Sequence, residues 1–124
     1  GNGCPTLLFW LEEGNEPTEH ILNELLAARD ALQAVEVSIQ FLLRGRESVQ
    51  QRTLALALEQ LPFVRVLLDD WAFDVEMTAR HLTCDPDTPP LAVVCDKNGN
   101  AVYGISGYHV GSVSLLLQIV AYLQ

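Results

Sequence analysis

The sequence predicts an α/β domain in which a mixed β-sheet carries helices on both faces. Three observations lead to this prediction. Five short segments have the apolar or alternating pattern of β-strands. Longer segments with a helical repeat separate the first four of them, so the predicted order is β-α-β-α-β-α-β-β-α. Right-handed crossovers between parallel strands then place helices over both faces of the sheet.

The chain has the length of one domain. A folded chain of 124 residues buries about two thirds of the surface that it exposes when unfolded, which is enough for one core. We expect residues 1–124 to form this domain, with residues 1–3 as a remnant of expression or a disordered end. Apolar residues make up 49% and charged residues 19%, which is typical of a folded protein.

The first strand leads directly into the first helix. Thr6 to Leu11 (TLLFWL) is an apolar run that predicts a buried strand, closed by the turn residues Glu12 to Asn15. Pro17 suits the first turn of a helix, where no amide donor is needed. The helix is predicted to end at about Gln33 because its apolar stripe continues that far. The stripe consists of Ile21, Leu22, Leu25, Leu26 and Leu32.

The second strand is predicted from a period of two. Apolar and polar side chains alternate over Val35 to Leu43 (VEVSIQFLL), as in a strand with one face on the core. A segment rich in Ala and Leu follows, from Ser48 to Leu61, and Ser48 opens it with the spacing of a capping box. Three leucines in this segment alternate as in a strand, but the Ala, Glu and Gln between them favour a helix.

The third strand and the third helix precede a stretch of turns. Phe63 to Leu68 (FVRVLL) follows a proline and has the apolar, β-branched composition of a strand. Residues 73–82 predict a short helix. The proline-rich and aspartate-rich stretch from Cys84 to Pro90 then predicts a loop.

A hairpin and a helix complete the predicted chain. Leu91 to Cys95 and Ala101 to Ile105 predict its two strands, because the Asn98-Gly99 step supplies the positive φ of a tight turn. The final helix begins near Ser112. Its apolar stripe is directed toward the core and consists of Leu115, Leu116, Ile119, Val120 and Leu123.

The charge pattern excludes two classes of partner. Sixteen carboxylates stand against seven Lys and Arg, and the net charge is −9. The cations are scattered, whereas binding to nucleic acid or to anionic lipid depends on clustered cations. The apolar runs are also far shorter than the about 18 residues of a membrane span. We therefore expect no nucleic-acid partner and no membrane insertion.

Three local features resemble the thioredoxin fold over essentially the whole chain. The strand ending in Phe9-Trp10-Leu11, before a loop and a long helix, is similar to the segment that leads into the dithiol helix of thioredoxins. Pro90, six residues before Asp96, resembles the cis-proline that faces the dithiol loop. Residues 90–103 (PLAVVCDKNGNAVY), followed by Ser106-Gly107-Tyr108, resemble the last hairpin and its glycine. The resemblance implies a thioredoxin-like fold.

The chain departs from this family at the dithiol. The resemblance aligns the two cysteines of the active-site loop with Gly14 and Pro17, so that the loop consists of Gly14, Asn15, Glu16 and Pro17. Disulfide exchange of the thioredoxin type needs a thiolate of low pKa at the helix N-terminus and a resolving thiol one turn later. Neither Gly nor Pro supplies one. We therefore expect a degenerate active-site loop, no catalytic residue and no cofactor.

Two further segments resemble a narrower group. Glu16 to Leu25 (EPTEHILNEL) and the region from Pro90 through Ile105 to Gly111 (ISGYHVG) are similar to the C-terminal thioredoxin-like domain of bacterial transglutaminase-like proteins. This resemblance implies that a papain-like Cys-His-Asp site lies in an upstream domain. The chain would then be a non-catalytic accessory module that works outside the cytoplasm, and its partner a neighbouring domain of the same polypeptide or a peptide.

The cysteines leave an alternative open. Cys4, Cys84 and Cys95 are too widely spaced for a disulfide framework or a zinc motif. A lone reactive thiol at Cys84, with His20 or His81 as its base, would make the chain a divergent single-cysteine thiol or redox enzyme. A packed helix-end cysteine is the favoured interpretation of Cys84. Cys4 has no positioned base, and Cys95 suits a small apolar position in a strand.

Carboxylates cluster at two places in the sequence, which raises the question of a metal or ligand site. Glu16, Glu19 and His20 lie in the first helical turn, and Asp85 and Asp87 follow Cys84, but their spacing matches no zinc or calcium template. We expect a solvated acidic rim and no metal.

The ends of the first and third strands predict a binding edge. Carboxylates follow both strands, and the carboxyl ends of parallel strands share the usual ligand edge of an open α/β sheet. Thioredoxin folds grip extended peptides there by backbone pairing, although Pro89 offers no amide donor. The carboxylates are Glu12, Glu13, Asp69 and Asp70, and the candidate binding edge comprises Trp10, Glu12, Glu13, Trp71 and Pro89.

Overall fold

Five strands of the protein form one mixed sheet. The computed structural model describes residues 3–12, 16–44, 58–59, 64–68 and 90–124. Within them the strands lie side by side in the order β3-β2-β1-β4-β5. They are β1 (Thr6–Glu12), β2 (Ser38–Arg44), β3 (Val64–Leu68), β4 (Leu91–Cys95) and β5 (Ala101–Ser106).

The strand directions give the sheet two distinct ends. β1 pairs in parallel with β2, and β2 with β3, whereas β4 is antiparallel to both β1 and β5. The "Glu12 end" of the sheet therefore holds the last residues of β1, β2, β3 and β5 and the first residue of β4. The "Thr6 end" holds the opposite strand ends, including Cys95, which is opposite Thr6 in the register.

The helices are α1 (Glu16–Ala27), α2 (Arg29–Ala34) and α3 (Ser112–Tyr122). The sequence predicts one helix over residues 17–33, and this prediction is wrong at Ala28. The Ala28 amide donates to the carbonyls of both Glu24 and Leu25, which tightens the last turn of α1. Ala28 itself has φ −94° and ψ 11°, and α2 restarts after it. No Gly or Pro marks the break in the sequence.

Four of the predicted strands lie within one residue of their predicted bounds, but β2 begins later than predicted. Val35 is extended, yet its amide still donates to the carbonyl of Ala31 in α2. The ladder starts at Ser38, whose amide donates to Pro5. The predicted alternation is nevertheless confirmed, because Val37, Ile39 and Phe41 are all buried in the same cluster.

The described helices and one face of the sheet enclose the larger core, the "helix-side cluster". The rings of Phe9 and Phe41 contact each other there at a centroid distance of 5.5 Å. Burying such side chains is the main source of stability in a chain of this size. Its most buried members are Leu7, Phe9, Leu11, Ile21, Leu22, Leu25, Leu32, Ile39, Phe41, Leu58, Ala92, Val94, Leu116 and Val120.

The opposite face of the sheet carries a second, smaller "reverse-side cluster". It consists of Trp10, Leu42, Leu91, Val93 and Cys95. The predicted helix over residues 73–82 lies outside the described residues, so a helix on this face stays a prediction. Of the helix predicted over 48–61, only residues 58 and 59 are described, and both are helical. None of the described helices has the length and apolar character needed to cross a membrane.

The last helix returns the chain to the Thr6 end. β5 finishes at the Glu12 end, and α3 runs back over the sheet in contact with β4 and α1. Its far end is held by the Gln124 side chain, whose amide donates to the carbonyl of Glu36 over 2.9 Å. Glu36 lies just before β2, at the Thr6 end.

Candidate functional site

The Glu12 end of the sheet brings the start of α1 next to the residues that follow β5. The Gly107 amide donates to the Pro90 carbonyl over 2.9 Å, which extends the pairing of β4 and β5 beyond the strands. Gly107 has φ 75°, a left-handed conformation that favours glycine. The chain can therefore turn there and place Tyr108 against α1.

Tyr108 makes two contacts with α1. Its hydroxyl donates a hydrogen bond to the Glu24 carboxylate. Its ring stacks on His20 with a centroid distance of 5.2 Å and an interplanar angle of 21°. The Glu24 carboxylate raises the pKa of Tyr108, because it accepts a hydrogen bond from the neutral phenol and would repel a phenolate. Tyr108 therefore remains a neutral donor well into the alkaline range.

The first turns of α1 present polar groups beside this aromatic pair. His20 Nε2 lies 3.4 Å from Glu16 Oε1, and both side chains are exposed. The pair carries a charge on each side only when His20 is protonated. Asn23 donates from its side chain to the Glu19 carbonyl over 3.0 Å. Together with Glu24, these groups form a partly exposed aromatic and carboxylate surface, which suits contact with a polypeptide or a cation.

The residues of the predicted degenerate loop are described only in part. Glu16 and Pro17 open α1, and Glu16 is exposed. Gly14 and Asn15 lie outside the described residues. Pro90 is buried beside Leu91 at the start of β4. Its identity as a cis-proline stays a prediction.

The predicted binding edge is also described only in part. Trp10 is 4% exposed, and its ring packs in the reverse-side cluster. Its indole Nε1 is buried and has no hydrogen-bond partner among the described residues. Glu12 is the last residue of β1, at the Glu12 end. Glu13, Trp71 and Pro89 lie outside the described residues, as do Asp69 and Asp70, so the edge stays a prediction.

The two described cysteines lie far from the start of α1. Cys4 precedes β1 and Cys95 ends β4, so both belong to the Thr6 end, whereas His20 lies at the Glu12 end. Burial raises the pKa of the Cys95 thiol, which disfavours the reactive thiolate. Cys84 and His81 lie outside the described residues, and thiol chemistry at Cys84 stays a prediction.

The side chains considered as metal ligands are also described only in part. Within the described ranges, no three His, Cys, Asp or Glu side chains lie close enough to hold a metal ion together. Asp85 and Asp87, the other two carboxylates of the predicted acidic rim, lie outside the described residues.

Sequence reasoning missed the contact of Tyr108 with Glu24. The pair is separated by 84 residues, and neither side chain belongs to a motif that points to the other. The nearest signal is Gly107, because a glycine after a strand indicates a sharp turn. That signal predicts the turn but not the contact that the following side chain, Tyr108, makes with Glu24.

Solved structures of similar fold include several disulfide oxidoreductases. A candidate thiol:disulfide interchange protein DsbE from Chlorobium tepidum superposes with a TM-score of 0.67 at 17% identity, over 99% of this chain and 82% of that one. StoA from Bacillus subtilis gives a TM-score of 0.63 at 15% identity, over 95% and 83% of the two chains. A secreted Mycobacterium tuberculosis disulfide oxidoreductase homologous to E. coli DsbE gives 0.62 at 18% identity, over 98% and 84%.

These comparisons show the fold. The protein has a thioredoxin-like α/β fold, as the order of its elements predicts. The chain matches no family model, and no curated protein is significantly similar to it. At such low identities the similarity shows the fold alone.

Proposed function

This protein has a thioredoxin-like fold. We propose that it is a non-catalytic accessory domain that binds a polypeptide segment. The observation that carries the proposal is the start of α1. Glu16 and Pro17 open this helix, and residues 5–83 contain no cysteine. The first turn of this helix therefore supplies no thiol of its own, whereas the resemblance to thioredoxins implies two cysteines there.

Chemistry supports this proposal. A dithiol reductase attacks its substrate disulfide with a thiolate that the helix N-terminus stabilises, and a second thiol one turn later releases the product. The described thiols at Cys4 and Cys95 lie at the other end of the sheet. They are not placed to serve the start of α1.

The same end of the sheet supports a binding role. Glu24 binds the hydroxyl of Tyr108, and His20 stacks on its ring. These two contacts hold a partly exposed aromatic surface in a fixed orientation. Fixed aromatic groups are frequent at protein interfaces because they bury area at a low cost in conformational entropy. The partner is a peptide or a neighbouring domain of a transglutaminase-like polypeptide.

A second candidate function is thiol chemistry at Cys84. It is favoured by the solved structures of similar fold, which include a thiol:disulfide interchange protein and a secreted disulfide oxidoreductase. A lone Cys84 thiolate would attack a substrate disulfide, form a mixed disulfide and expel the other sulfur as a thiolate. An external thiol, such as a glutathione-like compound, would then have to resolve the mixed disulfide.

Reduction of insulin by dithiothreitol separates the two candidates. The accessory proposal expects the same rate with and without the protein. Catalysis that disappears in Cys84→Ser but persists in Cys4→Ser would establish the second candidate instead. Cys4→Ser is the matched control, because it removes one thiol from the Thr6 end.

Peptide binding needs its own measurement. An array of peptides from unfolded polypeptides, probed with wild-type protein and with Tyr108→Ala and His20→Ala, tests the surface on α1. The proposal expects binding that both variants weaken and that Gln33→Ala, on α2, leaves unchanged. Absence of binding to every peptide would limit the role to interdomain contact. The gene sequence upstream of Cys4 tests that context directly, since it either encodes a transglutaminase-like domain or does not.

A further inference from the structure

A groove of about 330 Å³ lies between α1 and α3. Most of the side chains along its two walls are small or apolar, and two of them, Ala27 and Ser114, are exposed to solvent. An apolar cavity of about 150 Å³ already holds a benzene molecule, so this groove has room for a large apolar side chain of a partner. The residues that line the "α1–α3 groove" are Glu24, Ala27, Ala28, Val113, Ser114 and Leu117.

The α1–α3 groove continues the aromatic surface that Tyr108 and His20 form. Glu24 lines the groove and also accepts the hydrogen bond from the Tyr108 hydroxyl. His20, which stacks on the Tyr108 ring, lies four residues before Glu24 and therefore on the same side of α1. A polypeptide segment that binds the aromatic surface can thus extend into the groove.

The two walls of the groove differ in charge. α1 contains Glu16, Glu19 and Glu24 but no Lys or Arg. Residues 101–124, which include α3, contain no Asp, Glu, Lys or Arg. The Tyr108 hydroxyl donates to Oε2 of Glu24, and a carboxylate has acceptor sites for several donors. Glu24 can therefore accept a hydrogen bond from a cation at the groove as well as the bond from Tyr108.

We propose that the α1–α3 groove and the aromatic surface form one binding site for a cationic, amphipathic polypeptide segment. An apolar side chain of the segment enters the groove, and a neighbouring Lys or Arg donates to Glu24. This inference rests on the proposed function, because it states the chemistry of the polypeptide that the accessory domain binds.

Electrostatics favours this partner over a second copy of the chain or an acidic segment. Two molecules with a net charge of −9 repel each other, and the carboxylates of α1 repel an acidic peptide. A cationic segment is instead attracted by the whole protein and by Glu24, which raises its association rate and selects it over other segments. A neutral apolar segment would fill the groove without using Glu24.

Four labelled peptides of equal length test both parts of the proposal by fluorescence anisotropy with the wild-type protein. The first peptide combines Leu with Lys, the second has Ser in place of Leu, the third has Glu in place of Lys, and the fourth has both replacements. The first should bind most tightly, and each of the others at least roughly tenfold more weakly. Raising the ionic strength from about 0.1 M to about 1 M should weaken binding of the first peptide, because salt screens surface charges.

Two variants locate the site, and each has a matched control. Ala27→Leu fills the groove and should weaken binding of the first peptide at least roughly fivefold. Ala34→Leu makes the same change at an exposed position of α2 outside the groove, and should leave binding unchanged. Glu24→Gln removes the charge and should weaken binding of the first peptide but not of the third. Glu36→Gln removes a charge near the Thr6 end and should not discriminate between these two peptides.

The possible outcomes separate this inference from the proposed function. Equal binding of all four peptides, or binding that Tyr108→Ala weakens and Ala27→Leu does not, would overturn this inference and leave polypeptide binding in place. Tightest binding of the third peptide would also overturn it, because the site would then select an acidic segment. Absence of binding to every peptide would overturn this inference together with the peptide-binding part of the proposed function. The comparison of peptides on wild-type protein does not depend on the folding of any variant.

Discussion

The hydroxyl of Tyr108 donates a hydrogen bond to the carboxylate of Glu24, which joins the loop before α3 to the middle of α1. The same ring stacks on His20. One side chain thus links the two helices that cover the central strands of the sheet. It does so at the Glu12 end, beside the start of α1.

Removing the Tyr108 hydroxyl should lower the free energy of unfolding. Tyr108→Phe keeps the ring on His20 but leaves the Glu24 carboxylate without its donor. The pKa of Tyr108 is raised above its ordinary value of 10.0, so this hydrogen bond contributes fully to the stability of the fold below pH 10.0. It is lost as the pH rises through the higher pKa of the folded state. Urea unfolding should therefore show a difference from wild type at neutral pH that shrinks in strongly alkaline buffer.

Glu24→Gln is the companion variant. The amide still accepts the hydrogen bond but carries no charge to repel a phenolate, so the alkaline loss of stability should become smaller than in wild type. If Tyr108→Phe unfolds at the same urea concentration as wild type at neutral pH, the hydrogen bond contributes nothing to stability.

Substitution of Gly111 should destabilise the start of α3. Gly111 precedes this helix with φ 87°, and an added Cβ would have nothing within 4 Å. The cost of Gly111→Ala is therefore conformational and amounts to about 1–2 kcal/mol. Gly111→Asn should cost less, because Asn tolerates the left-handed region better. Thermal unfolding measures both, and equal stability of the two variants would contradict this account.

The contact of Phe9 with Phe41 predicts a large effect in the core. Both rings are fully buried, and Phe41→Ala should cost about 3–5 kcal/mol through lost burial and a cavity. Val102→Ala, in the edge strand, should change stability by about 0.5 kcal/mol or less. Urea unfolding of the two variants compares them. A small effect at Phe41 would mean that the core collapses around the cavity.

The cysteines should differ in their reactivity. Burial raises the pKa of the Cys95 thiol, and Cys95 is also shielded from reagent, while Cys4 is partly exposed. Iodoacetamide at mildly alkaline pH should label Cys4 before Cys95 in the folded protein, as peptide mass spectrometry can show. In denaturant the two rates should converge. Labelling of Cys95 as fast as Cys4 in the folded state would contradict the observed burial.

The sequence predicts best what is decided locally. The strands of the hairpin follow from an apolar run, an Asn-Gly step and a second run, and β4 has the predicted bounds. The break at Ala28 has no such signal, because Ala is the best helix former. It is visible only in the backbone, where Ala28 has φ −94° and ψ 11° between the two helices.

The candidate site depends on contacts distant in sequence. Glu16, Pro17 and Pro90 are found at one end of the sheet because strand direction follows from the order of the elements. The bond from Tyr108 to Glu24 depends instead on how far α3 and α1 are apart and on the turn at Gly107. No local sequence pattern encodes the spacing of the two helices or the direction of this turn, and both are set only when the helices pack.

The bond from Gln124 to Glu36 has a consequence for how this fold can be joined to other proteins. It secures the carboxyl terminus beside the start of β2, and Cys4 enters the sheet at that same side. A domain joined to the chain there would reach His20 and Tyr108, which lie at the Glu12 end, only through a linker long enough to span the sheet.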